Sequence, residues 1–573
     1  MSYILVLNKL KLNPRKKFCF LNSSLEKKYI KKNINYKTLN FKNLSNKRLE
    51  KLNKKNYLIS ENIIIKLAFI LNKIHGLELS KKSWKIIIGP WVHHFTTICW
   101  NRFDKIKKVL KNPNLDTSFI FECPNNLLSI EDNCHMFKLC NDDNWNSILY
   151  SKALLFLKPN QKYKKKRCSI PIVNHPETKK FNIKILFSQL LNFLKKDTDA
   201  VIDGSYLPFK EMLKLHLHLG QFPQFYSYLH HQNIKLLPLK KEYRKKIRLN
   251  YKRGSDFENF LFKIIPAYFP KCHLENFSTL KKKVDKSYFP RNPKFIYTSN
   301  NFEFDEIFKL FTALQVEKKT KYIIGQHGNI SSIENMFDDR IHSADNYLNW
   351  GKRGFGKSED GFNFKLINQS FLNNKQGSVL ILDTPFGTNN KIYDRIEQNF
   401  TNTVWLKELL KQLKNNCINN VVLKLHTSWK KKDKNYINNL KSIFPEIKIE
   451  IDDKKIFSLM QDARCVIHTY NSTGILESMS LNIPTFCIWP NKLNYIQKKF
   501  HMFYYHLEIN KILYYNNKDL VKTIKKHYQN IDRWWLRKDR VKAKNFFLKQ
   551  FSIIPKKNST KNLAKKLLYL SSN

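Results

Sequence analysis

Residues 465–489 read CVIHTYNSTGILESMSLNIPTFCIW. The apolar run to Thr469 predicts a buried strand. The polar turn Tyr470-Asn471-Ser472-Thr473-Gly474 follows, then a helix with Glu477 in its first turn, then a second apolar strand through Phe486, Cys487 and Ile488. A strand that feeds a helix and returns as a strand is the repeat unit of a parallel sheet. The turn places Ser472, Thr473 and the free N–H groups around Gly474 at a helix N-terminus, which suits a phosphate: oriented amides, hydroxyl donors and a favourable dipole. An ordinary N-cap, with Ser or Thr closing the helix and Glu477 complementing the dipole, has the same sequence pattern.

Working outward, the same alternation spreads over the second half of the chain. NPKFIYTSN, KYIIGQHGN, ADNYLNWG, SVLILDTP, VVLKLHTSW and IKIEI read as strands, with helices such as EFDEIFKLFTALQVEKK, NTVWLKELLKQLKN and KKIFSLMQDA between them. The Gly- and Asn-rich residues 354–377 read as an interdomain linker. The expected domains are 1–353 as an N-terminal α/β domain with a basic helical start, 378–528 as a C-terminal Rossmann-like domain, and 529–573 as C-terminal helices. Two such sheets joined by a linker form a cleft, with ligands at the carboxyl ends of the strands. In the first half, NIIIKLAFILNKIHGL has helical spacing. KSWKIIIGPWVHHFTTICWNRFDKIKKVL reads as a short strand, Gly-Pro and an amphipathic helix. The Lys run at 162–167 reads as a solvated loop.

Two further segments end strands with polar residues. VVLKLHTSW delivers His426 and Thr427 to a strand end, where an imidazole donates to a phosphate or serves only the local packing. YIIGQHGN delivers Gln326, His327 and Gly328, with Glu334 six residues on. A glycine beside a histidine lets a ligand approach the backbone, or simply makes a tight turn.

Composition narrows the classes. The chain has 573 residues, enough for two or three domains, and 42% hydrophobic residues, so it is no disordered chain. The formal charge is +57, from 103 Lys+Arg against 46 Asp+Glu. Such an excess attracts polyanions. It is equally the mark of an AT-rich codon bias, since Lys, Asn and Ile are heavily used throughout. No RNP, zinc-finger or basic-heptad pattern points to specific nucleic acid. The ten cysteines form no CxxC pair and read as free thiols of a reducing compartment. The early apolar stretch is too short for a signal peptide, and NIIIKLAFILNKI is too short and interrupted to span a bilayer. These features predict a cytoplasmic protein, with peripheral contact to an anionic inner membrane as an option. No convincing DxD stands at a strand's carboxyl end: Asp197-Thr198-Asp199 precedes its apolar run, Asp142-Asp143 is a loop pair, and Asp452-Asp453 follows a strand but precedes Lys454-Lys455, so no metal is expected.

GQHGN…ADNYLNWG, LKLHTSW and TYNSTGILESMSLNIPTFCIW, in this order, together with GPWVHHFTTICWNRFDKI near residue 90, resemble a family of surface-polysaccharide transferases linked with O-antigen loci. The resemblance runs from about residue 80 to 520. More distantly, QHG, a strand-end His and an S-T-G turn resemble capsule-type Kdo transferases and bacterial sialyltransferases, although His426 is followed by Thr427 where those enzymes have Pro. The resemblance implies a GT-B-like fold of two Rossmann-like domains and a metal-independent glycosyltransferase without cofactor. It implies a nucleotide-sugar donor, such as a CMP-activated acidic sugar, and a glycan or lipid-linked acceptor. Donor contacts then fall to Gln326, Gly328, His426, Thr427, Asn471, Ser472, Thr473, Gly474 and Glu477. The general base comes from His327, Glu334 or Asp104. A UDP- or GDP-sugar enzyme, a sugar-nucleotide epimerase and a basic RNA-binding or assembly protein are the competing readings.

Overall fold

The computed structural model describes the chain except residues 1–2, 9–12, 14, 22–33, 40, 42–43, 118, 125–127, 171–190, 227–237, 250–253, 329–341, 353–357, 370–373, 375, 384–394, 417–419, 427–433, 452–455, 491, 495 and 573. Two of the expected site residues, Glu334 and Thr427, lie outside the described residues.

Every strand pairing among the described residues is parallel. The chain opens with β1 (Tyr3–Val6), β2 (Lys17–Phe20), β3 (Asn35–Thr38) and β4 (Leu115–Asp116), in the order β3-β2-β1-β4. A small sheet pairs β5 (Phe119–Glu122) with β6 (Lys164–Arg167). The Lys run expected as a loop is therefore an edge strand. Its four residues are all exposed, and charged lysines on an edge block further pairing.

A five-stranded sheet follows: β7 (Val201–Asp203), β8 (Phe295–Thr298), β9 (Lys321–Gly325), β10 (Asn346–Leu348) and β11 (Ser358–Glu359), side by side in chain order. Its two faces carry different cores. Val201, Ile296, Tyr322 and Ile324 join the large core built around the helix Lys81–Val109. Ile202, Phe295, Tyr297 and Ile323 pack with Leu563, Ala564 and Leu567. The large core also holds Leu5, Val6, Phe18 and Phe20, so the early sheet and the five-stranded sheet form one N-terminal unit.

The helix Lys81–Val109 corrects the strand expected over KSWKIII. It runs unbroken through Gly89 and Pro90. Trp84, Ile86, Ile87, Ile88, Trp91, Val92 and Phe95 are all buried, so the helix is covered on every side. An all-round apolar helix gives an uninterrupted apolar run, which periodicity alone does not separate from a buried strand.

The second unit is a six-stranded sheet: β12 (Ser378–Leu382), β13 (Val421–Lys424), β14 (Lys448–Glu450), β15 (Ala463–His468), β16 (Thr485–Ile488) and β17 (Leu513–Tyr514), ordered β14-β13-β12-β15-β16-β17. Counted from β12 this is 3-2-1-4-5-6, the doubly wound order of dinucleotide-binding folds, and the strand order reverses between β12 and β15. The five-stranded sheet, with its strands in simple sequence, has no such reversal, whereas the early sheet, ordered β3-β2-β1-β4, reverses between β1 and β4. Two parallel α/β units of this kind make the GT-B-like arrangement the sequence led us to expect.

The units are stitched twice. Residues 354–377 carry more than a linker: Ser358 and Glu359 extend the first sheet, and Phe364–Leu366 forms a short 3-10 turn. The chain end divides as well. Helix Lys538–Phe551 packs on the second unit, against Thr473–Ser480 and His501–Ile509. The backbone then crosses over, with Ile553 N–H donating to Trp350 O (2.7 Å) and Asn363 N–H to Ile553 O (2.9 Å). Helix Ser559–Ser572 closes the outer face of the first sheet against Phe209–His218.

Candidate functional site

The reversal between β12 and β15 opens a crevice at their carboxyl ends, where open α/β sheets bind ligands. Asp383 follows β12 and is buried; it accepts a hydrogen bond from the Thr469 hydroxyl, one residue past β15, at 2.9 Å. Next comes the turn read from sequence. Asn471 is nearly buried and accepts from the Tyr504 hydroxyl at 3.2 Å. Ser472 stands at the N-cap of helix Thr473–Ser480, in extended backbone conformation.

Ser472 does not cap the helix through its side chain. Its Oγ lies 3.1 Å from His468 Nδ1, and His468 Nε2 lies 3.0 Å from Ser478 Oγ. His468 is fully buried, and burial lowers its pKa to about 3, so the ring is neutral. A neutral imidazole has one donor and one acceptor nitrogen. The ring therefore links Ser472 to Ser478, donating to one hydroxyl and accepting from the other. A helix start presents N–H groups that the helix ladder does not satisfy; here the third, Ile475 N–H, turns back to Ser472 O (3.3 Å). Gly474 fits against the same ring: a Cβ there would lie 2.9 Å from His468 Cε1.

The opposing wall comes from the carboxyl edge of the N-terminal sheet. Gln326 is a brace: its N–H donates to Leu348 O (2.8 Å), its Oε1 accepts from Trp350 N–H (2.7 Å), and its Nε2 donates to Gly328 O (3.1 Å). This fixes the loop carrying His327. His327 Nδ1 is 3.3 Å from Ser299 O, an acceptor only, so Nδ1 is the protonated nitrogen. That leaves Nε2 as the basic nitrogen, 3.4 Å from the Tyr206 hydroxyl. The Tyr206 ring meets the imidazole edge to face at 4.6 Å. Tyr206 has φ 59°, in the left-handed region, which costs a bulky residue about 1–3 kcal/mol and recurs at functional sites.

Gly328 brings the walls together. A Cβ built on it would lie 2.6 Å from Thr473 Oγ1. Lys365, from the stitching segment, makes the second bridge: its ammonium is 2.8 Å from Glu477 Oε1 and 5.4 Å from the Tyr206 ring centre. Glu477 is buried and engaged by this ion pair, which gives it a structural partner where donor contact was expected.

The remaining expected residues are more scattered. His426 follows β13, which is two strands from β15, roughly 10 Å at the usual strand spacing. Partial burial and the Lys424 ammonium lower its pKa. Asp104 sits on helix Lys81–Val109 and pairs with Lys108 one turn on (2.7 Å), which ties it to its own helix. Sequence reading missed His468, Tyr206, Lys365, Asp383 and Asp203. Asp203 ends β7 in full burial and accepts from Asn301 Nδ2 (2.7 Å); burial, then Asp305, raises its pKa to about 8.

One group of described residues has metal-ligand types: Cys272, His273 and Glu306, all buried, with ligand atoms within 4.8 Å of one another. The Lys309 ammonium lies 2.8 Å from Glu306 and His273 Nε2 3.2 Å from the same carboxylate. A resident ammonium opposes a divalent cation there, and the group reads as a buried ion-pair network.

A model of the LIC12162 family of transferases matches residues 3–567. The chain belongs to that family. No curated protein matches it. Among solved structures, this LIC12162-family transferase is similar to a glycosyltransferase from Rickettsia africae ESF-5, at 13% identity over 66% of this chain and 99% of that one (TM-score 0.33). It is also similar to MnaA of S. aureus, solved with UDP, at 11% identity over 65% and 96% (TM-score 0.35), and to the glycosyltransferase SnogD from Streptomyces nogalater, at 9% over 66% and 100% (TM-score 0.32). No helix among its described residues is long and apolar enough to cross a membrane.

Proposed function

We infer that this LIC12162-family transferase moves a sugar from a nucleotide-sugar donor to a hydroxyl of a glycan or lipid-linked acceptor, in bacterial surface-polysaccharide synthesis. The observation that carries the reading is the meeting of Gly328, the neighbour of His327 on one sheet, with Thr473 at a helix start of the other unit.

In this reading the donor's phosphate lies on the Thr473 and Gly474 N–H groups and the Ser472 and Thr473 hydroxyls. These donors stabilise the charge that grows on the leaving phosphate without a metal. His327 Nε2 takes the proton from the acceptor hydroxyl as the new glycosidic bond forms and the sugar–phosphate bond breaks. The Ser299 carbonyl stabilises the imidazolium through Nδ1–H, and Tyr206 holds the ring edge. Lys365 holds the two walls together through Glu477. His426 stands farther along the same strand-end row, within reach of the donor's nucleoside end.

The surface-polysaccharide role and a CMP-activated acidic sugar rest on the motif resemblance. A UDP- or GDP-sugar donor is the alternative. Thermal shift against CMP, UDP and GDP decides between them: stabilisation by CMP alone supports the acidic-sugar donor, and stabilisation by UDP or GDP alone replaces it.

A further inference from the structure

The helix Asn46–His75 is the feature the cleft does not explain. It has 30 residues. Its inner face, with Leu49, Ile59, Ile63, Ile64, Leu67 and Leu71, is fully or almost fully buried, so the helix is anchored. Its start is pinned to the second unit, where the Asn46 amide donates to Leu493 O (3.3 Å) and Ile496 O (3.2 Å).

The outer face is unusual in composition. Leu58, Ile65 and Phe69 are 58%, 49% and 62% exposed. At about 100° per residue these three fall within a roughly 40° arc. Lys47, Lys51, Lys54, Lys55 and Lys73, all exposed, fall within roughly 60° of the same line. The helix has two acids, Glu50 and Glu61. Glu61 is taken by Lys81 (3.2 Å) and Lys85 (2.7 Å), so it does not offset the outer lysines. Lys73 rests over the Phe69 ring at 4.2 Å, its ammonium outward of an exposed aromatic.

We propose that this face is a docking surface for an anionic lipid bilayer, with Leu58, Ile65 and Phe69 entering the headgroup boundary and the lysines on lipid phosphates. An apolar line flanked by lysines on a long helix is the pattern of helices that lie in the plane of a membrane interface. Charge complementarity selects anionic over neutral lipid. The apolar line selects a bilayer over nucleic acid, because a phosphate backbone gives exposed Leu, Ile and Phe nothing to bury against. The inference does not depend on the donor reading.

The test is sedimentation of the full chain with phosphatidylglycerol–phosphatidylcholine vesicles and with pure phosphatidylcholine vesicles, at low and high salt. The protein is expected on the anionic vesicles and not on the neutral ones. Lys51→Ser, Lys54→Ser and Lys55→Ser should each weaken binding about fivefold. Ile65→Ser with Phe69→Ser should weaken it about tenfold or more. All these positions are exposed, and unchanged Tm and helix content confirm folded variants. Equal binding to neutral vesicles, or no binding to either, overturns the proposal. So does an apolar double variant that binds vesicles like the parent. If random-sequence RNA binds the parent more tightly than vesicles do, and only the lysine variants weaken it, the face serves nucleic acid and the proposal fails.

Discussion

Gly328 and Thr473, 145 residues apart in the chain, meet so closely that a single methyl on Gly328 would stand 2.6 Å from the Thr473 hydroxyl. Contact at that distance needs one partner to give way. Gly328→Ala should therefore separate the two loops and weaken nucleotide binding, with little change in Tm. In the Gly328→Ala, Thr473→Ala double variant the clash is gone, so the losses should be less than additive. A double-mutant cycle on nucleotide Kd checks this; strict additivity would separate the two loops in solution.

Ser472 distinguishes a ligand site from a helix cap. Its Oγ bonds His468 and not the helix backbone. Ser472→Ala should then cost about 1.5–3 kcal/mol of nucleotide affinity, as for a hydrogen bond to a charged group. Calorimetric titration with the nucleotide that stabilises the protein reads it. Unchanged affinity with about 1 kcal/mol lost stability would return Ser472 to a structural role.

His468 gives a pH signature. Its native pKa is about 3 because of burial, below the ordinary 6.5. Between those values the unfolded chain binds more protons than the native one, so stability rises with pH there. The contribution is full above about pH 6.5 and is lost as pH falls toward 3. Asp203 has the opposite sign: its native pKa of about 8 exceeds the usual 3.8, so it costs stability progressively as pH rises from about 4 to 8. Asp203→Asn should flatten the decline on the alkaline side, and His468→Gln the decline on the acid side, in Tm measured across pH. Parallel curves for parent and variants would contradict both assignments.

His327 should matter to turnover more than to binding. His327→Ala is expected to lower the rate about 10²–10⁴-fold, the range for general-base catalysis, with nucleotide Kd nearly unchanged. Tyr206→Phe should have a smaller effect, since it removes a 3.4 Å contact to Nε2 and keeps the ring packing. A loss confined to nucleotide affinity would move His327 from the acceptor side to the donor side.

Much of the second unit was legible because its strands are short apolar runs, several of which end in polar residues, as in LKLHTSW and VIHTYNSTG; β17, only Leu513–Tyr514, was not read as a strand. The unit's strand order was not legible, since the reversal at β12 and β15 depends on where each helix crosses, which periodicity does not record. His468 escaped notice because it reads as part of the strand, and its role appears only once the turn folds back to put Ser472 beside it. Lys365 was hidden by composition: a Gly- and Asn-rich segment suggests a passive linker, yet one 3-10 turn delivers its ammonium to Glu477. The first half was hardest. Trp84 through His93 is buried all round and so carries neither strand nor helix period.

The central claim is sugar transfer from a nucleotide at the Ser472–Thr473 turn. The most direct measurement is release of free nucleotide from CMP-, UDP- and GDP-sugars by the purified chain, with and without EDTA. The account expects one donor class to be turned over, EDTA to leave the rate unchanged, and Ser472→Ala with Thr473→Ala to abolish release. If no sugar nucleotide is turned over, or if release persists undiminished in the double variant, the site assigned here is not where the chemistry occurs.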